Sequence, residues 1–181
     1  PEISFAGFPV VDTPFPDAQV RMPGVDGIGG YRLMQVWSES TPRMNKPANP
    51  ACFENGLCWI AEDYDPQDGR LNLAWAVEED LQLPNMPLIS NPPPPGVYAG
   101  PRLLVFAQLQ DADGNFLVGD DGFWVDPLTL QAGDRFIQQH HLPAPQDMSG
   151  VTAVFGLYDP LTKERFMTLD GQDHIRLELG E

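Results

Sequence analysis

The sequence predicts an all-β fold, an immunoglobulin-like or jelly-roll-like antiparallel β-sandwich of about eight to ten strands with little helix. Three observations carry this reading. Between residues 102 and 179, about five short segments alternate apolar and polar residues, and each is closed by Asp, Gly or Pro. Helix start signals and a 3.6-residue period are nearly absent. The 181 residues, 42% of them hydrophobic, are enough to bury one core without splitting, so a single domain over 1–181 is expected.

Taken in order, residues 3–11 are a Phe-rich stretch interrupted by Gly7 and Pro9, which reads as an edge strand or a lead-in. Residues 29–37 alternate Tyr31, Leu33, Gln35 and Trp37 against Arg32, Met34 and Val36, as a half-buried strand does. Residues 41–50 carry prolines without periodicity and read as a loop. Residues 57–62 are a short strand. Residues 70–77 give the clearest strand of the first half, with Leu71, Leu73, Trp75 and Val77 on one side. A short helical turn is expected at 77–81. The prolines from 84 to 95 lack ladder N–H groups and predict an extended crossover outside the sheets. Strands then follow at 103–109, 116–120, 136–142, 151–158, 165–169 and 175–179, with a second helical turn at 127–130.

Charge excludes some functions. With 10 Lys+Arg against 26 Asp+Glu, the formal charge is -16 and the cations are scattered, so nucleic acid and anionic lipid are not expected partners. No run of apolar residues is long enough to cross a membrane as a helix, and no direct insertion by this segment is expected. The chain starts Pro1-Glu2-Ile3, with neither an initiator Met nor a signal pattern, and reads as a piece of a larger protein. Cys52 and Cys58 enclose the turn-forming pair Asn55-Gly56, and a disulfide between them is expected. Two reduced core cysteines or a partial metal site are the alternatives, although no further ligand is near for zinc.

Several stretches of the second half resemble a known family: residues 71–75 (LNLAW), 105–115 (VFAQLQDADGN), Gly133-Asp134 and, above all, 156–165 (GLYDPLTKER). They look like the C-terminal β-sandwich domain of membrane-bound polyprenyl-phosphate-sugar glycosyltransferases of the dolichyl-phosphate-mannose-dependent type. The resemblance spans about residues 70–179 and finds no counterpart for 1–60. It departs from the family at Ser149-Gly150-Val151-Thr152, where the family has Pro-Gly-x-Tyr. What it implies is an appended module on the non-cytoplasmic side, tethered through segments outside this chain, with the sugar-transfer residues elsewhere. The sequence leaves open whether residues 1–60 complete the sandwich or decorate it.

Candidate sites follow from residue chemistry. Asp63, Asp65 and Asp68 place oxygens at close spacing, as calcium loops do, although the bidentate Glu of the twelve-residue loop is missing. A second set, Asp111, Asp113 and Asn115, shares the pattern, with Asp120 and Asp121 nearby. Trp59, Phe123 and Trp124 fall where aromatic faces can stack on sugar rings, with capping of the sandwich as the other use. His140 and His141 are adjacent in a strand and point to opposite faces, so they do not chelate together. No nucleophile elbow, phosphate loop or HExxH motif is present. The expected function is therefore a non-enzymatic extracytoplasmic accessory domain with a protein or glycan partner and no cofactor. The alternative is a carbohydrate-binding module, with or without structural calcium.

Overall fold

The computed structural model describes residues 44–85 and 100–179. The expectations for the 3–11 segment, the 29–37 strand and the proline run at 92–95 lie outside the described residues. Among the described residues, two four-stranded antiparallel sheets form two layers. The first runs in the order β1 (Ala51–Cys52), β2 (Leu57–Asp65), β3 (Arg70–Val77), β6 (Arg135–His141). The second runs β5 (Phe116–Gly119), β4 (Leu104–Gln110), β7 (Thr152–Tyr158), β8 (Ile175–Glu178). The chain changes sheet between β3 and β4, between β5 and β6, and between β6 and β7.

Period-2 alternation decides which side chains lie between the layers. Leu71, Leu73, Trp75 and Val77 of β3 share one buried cluster with Val105, Ala107 and Leu109 of β4 and Ala153, Phe155 and Leu157 of β7. Phe155 receives two edge-on indoles, Trp59 at 5.4 Å and Trp75 at 6.3 Å between ring centroids. Each such buried side chain contributes about 1.5–3 kcal/mol of hydrophobic stabilisation.

A bulge in β2 resets the alternation. Trp59 pairs with Trp75 but Ala61 pairs with Ala74, so Ile60 is the extra residue. Before it, Leu57 and Trp59 share the core side of the sheet with Val77 and Trp75; after it, Tyr64 pairs with Leu71, and Asp63 and Asp65 move to the outer face with Asn72 and Arg70. Tyr64 packs against the core and its hydroxyl donates to the Leu142 carbonyl at 2.9 Å. On the outer face Ala61 and Ala74 are covered by Met44, Ile60 and Ile137, and Asn45 exchanges two backbone hydrogen bonds with Glu62.

Three expected elements differ from the structure or are refined by it. Residues 165–169 form no strand: Arg165 bridges to Tyr158 of the second sheet and Thr168 to Phe53, beside the first, so the segment divides its hydrogen bonds between layers. The helical turn expected at 77–81 is absent, because Glu78 and Gln82 donate their N–H groups to the carbonyls of Gly56 and Asn55 instead of to their own chain. The turn expected at 127–130 is a 3-10 turn, Pro127–Thr129, capped by the Asp126 carboxylate and started by a proline whose ring suits that position.

Candidate functional site

The outer face of the second sheet carries a groove built by glycines. In β4, burial of Val105, Ala107 and Leu109 turns Phe106 and Gln108 to the other side of the sheet. Phe106 pairs with Gly156 of β7, and a Cβ at Gly156 would meet the Phe106 ring at 2.8 Å. Only glycine lets the ring settle on the backbone there. The Arg165 guanidinium carbon covers the ring from outside, 4.4 Å from its centroid, and Arg165 also donates to Asp173 at 2.8 Å. Phe116 lies over Gly119 in the same way, with a virtual Cβ at 3.0 Å, but this ring is 63% exposed.

Tyr158 donates its hydroxyl to the Asp121 carboxylate at 3.0 Å, and the Lys163 ammonium sits 5.7 Å from the Tyr158 ring centroid. These residues and Gln108 enclose a depression of about 500 Å³. A second depression of about 750 Å³ shares Lys163 and Arg165 and extends past Gln172 and Asp173, so the groove is long and open-ended. The arrangement offers one exposed aromatic face, an amide, a carboxylate and two cations side by side. It suits a ligand with an apolar face and a hydroxylated rim.

The Asp159-Pro160 turn positions Lys163. The Asp159 carboxylate accepts from the Leu161 N–H at 2.9 Å and from the Thr162 hydroxyl at 3.1 Å, and it pairs with Arg102. Burial pushes the Asp159 carboxyl up, but Arg102, the Leu161 N–H and the Thr162 hydroxyl outweigh it and hold it below the usual carboxylate range. Backbone bonds from Lys163 N–H to the Asp159 carbonyl and from Asp159 N–H to the Glu164 carbonyl close the loop. Lys163 adopts φ +67°, a left-handed conformation that costs a non-glycine residue about 1–2 kcal/mol. The turn's hydrogen bonds maintain it.

A buried polar network positions Asp121. Gln138 donates to the Gly122 carbonyl at 2.8 Å and to His140 Nε2 at 2.8 Å, while its amide oxygen accepts from the Trp124 N–H. An amide nitrogen only donates, so His140 Nε2 accepts and its Nδ1–H donates to the Asp120 carbonyl at 2.8 Å. Burial lowers the His140 pKa and keeps the ring neutral. Residues 120–124 are thereby fixed against β6. His141, one residue on, is exposed.

The sequence-predicted aromatics do not converge. Trp59 is only 5% exposed and packs on Phe155, because its position before the bulge faces the core; it is not a surface platform. Phe123 is half-buried, edge-on to Phe136 at 5.7 Å. Trp124 is exposed, and its indole N–H donates to the Gln139 carbonyl at 2.9 Å.

The acidic candidates are engaged locally. Arg70 pairs with both Asp65 and Asp68, and Asn72 donates to Asp63. The Gln67 N–H, with Arg70, holds the Asp65 carboxyl below its usual range. Asp111 accepts from Asn115 and from the Asp113 N–H, capping its own hairpin. Among the described residues, no group of three or more His, Cys, Asp or Glu is placed to hold a metal. Cys52 and Cys58 form the expected disulfide, directly opposite each other on β1 and β2.

The groove residues missed at the sequence level left two signals. Gly156 interrupts the interior of a strand, and Phe106 stands on the opposite side of β4 from Val105, Ala107 and Leu109. Tyr158, Lys163 and Arg165 belong to the GLYDPLTKER stretch, which carries the family resemblance but marks no ligand-binding residue.

No protein-family model matches the chain, and no curated protein matches it. Among solved structures it is similar to the crystal structure of the C-terminal domain of wzt, with a TM-score of 0.43 and 15% identity, covering 77% of this chain and 83% of that one. A likeness this loose assigns no role to any residue.

Proposed function

We propose that this chain is a non-catalytic, extracytoplasmic recognition domain that holds a glycan in the groove on the outer face of the second sheet. The observation that carries the reading is the exposed Phe116 ring over Gly119, beside Gln108, Asp121 and Arg165. A sugar ring has a C–H face for the aromatic and hydroxyls for the amide, carboxylate and guanidinium. The Cys52–Cys58 disulfide supports an oxidising compartment.

The resemblance to the membrane glycosyltransferases suggests the setting, an accessory domain tethered to a membrane protein. Fractionating the intact gene product between membrane and soluble pools tests that part. For the site itself, isothermal titration of this chain against a glycan panel is expected to find saturable binding. Phe116→Ala should weaken it at least about tenfold, which is about 1.4 kcal/mol. Unchanged affinity in Phe116→Ala would remove the groove from the reading.

A further inference from the structure

We infer that the groove selects an uncharged glycan segment and rejects acidic ones; this rests on the proposed glycan reading and specifies its ligand. The argument comes from the charges in the groove. Its two depressions are lined by two cations, Lys163 and Arg165, and three carboxylates, Asp121, Glu164 and Asp173, so 2 minus 3 leaves a local charge of -1. The chain around it carries -16. Such a field, screened over about 8 Å at physiological salt, opposes the approach of a uronate or sulfate.

Of the two cations, Arg165 is already engaged by a carboxylate. Arg165 is stacked on Phe106 and paired with Asp173, and Lys163 faces the Tyr158 ring. An anionic sugar that reaches the guanidinium N–H groups left free by Asp173 would still lie beside the Asp173 carboxylate and be repelled by it. Hydroxyls meet no such repulsion. They can accept from guanidinium N–H groups not used by Asp173, donate to the Asp121 oxygen not taken by Tyr158, and do either with the Gln108 amide. The open run from Phe116 past Arg165 to Gln172 fits an extended chain of sugars.

The test is a glycan array containing neutral, uronate and sulfated oligosaccharides, followed by titration at 50 and 500 mM salt. Neutral glycans are expected to bind, with affinity changing less than about twofold across that range, and Phe116→Ala should abolish the signal. Asp173→Asn, an exposed substitution, should release Arg165 and raise affinity for uronates at least about fivefold. Preference for acidic glycans in the unaltered chain, falling with salt, would overturn this inference and leave the glycan reading standing. Neutral binding indifferent to Phe116→Ala would overturn this inference and remove the groove from the glycan reading, and absence of binding to every class would overturn both.

Discussion

Gly156 shows how one residue decides what a sheet face can do. With no Cβ it accepts the Phe106 ring from one side, while the Asp173 carbonyl lies 3.0 Å from the virtual Cβ. Gly156→Ala must push a ring that Arg165 holds down from outside, and overpacking of this kind costs about 1–3 kcal/mol. A urea-denaturation midpoint lowered accordingly is expected; a midpoint equal to that of the unaltered chain would mean that the ring is free to move and the groove floor is soft. The strand glycine was visible in the sequence, since glycine interrupts an alternating pattern. Its partner was not, because the register that sets Phe106 opposite Gly156 is a property of two strands together.

Among the elements, the β1–β2 hairpin reaches furthest beyond its own strands. Besides joining Cys52 to Cys58, it accepts the Leu169 N–H at the Cys52 carbonyl and donates the Glu54 N–H to the Met167 carbonyl. It therefore holds the segment that runs from the groove toward the first sheet. Replacing both cysteines by serine is expected to cost about 2 kcal/mol, the loop-closure value for a crosslink this short. The loss should be local first: hydrogen exchange at Leu169 and Glu54 should accelerate before that of the β3 and β7 amides. Equal acceleration everywhere would deny the hairpin its clamping role. Strand existence was well marked in the sequence, with 70–77 matching β3 residue for residue. The exceptions share a cause: 165–169 looked like a strand but bonds to both layers, and β2 runs on to Asp65 because a bulge hides its continued alternation.

At the scale of the whole molecule, buried and paired ionisable groups predict how stability depends on pH. His140 has its folded pKa lowered from 6.5, so the unfolded chain binds more protons as pH falls through that region. Its contribution is complete above about pH 6.5 and declines below it. Asp111, Asp159 and Asp173 have folded pKa values lowered from 3.8, so their contributions persist until pH falls through that value. The expected profile of urea midpoint against pH is flat from neutrality to about pH 10, above which ionisation of Tyr64, raised from 10.0 by burial, lowers it. Below neutrality it falls in two steps, the lower one opposed by Glu62, which burial raises from 4.5. The upper step, which belongs to the single buried group His140, has a slope of at most about 1.4 kcal/mol per pH unit. His140→Gln should remove the upper step, and persistence of that step in the variant would assign it to another group. By itself, the sequence determined the two-layer β architecture, most strand positions, the turn formers and the disulfide pair, because these follow from local alternation and from the conformational limits of Gly, Pro and Asn. Only the tertiary structure decided that Trp59 is core, that Asp65 and Asp68 belong to Arg70, and that Phe106, Phe116, Tyr158 and Arg165 share one face. Those outcomes depend on a bulge, a strand register and a sheet order that bring together residues far apart in the chain, and no local pattern encodes them.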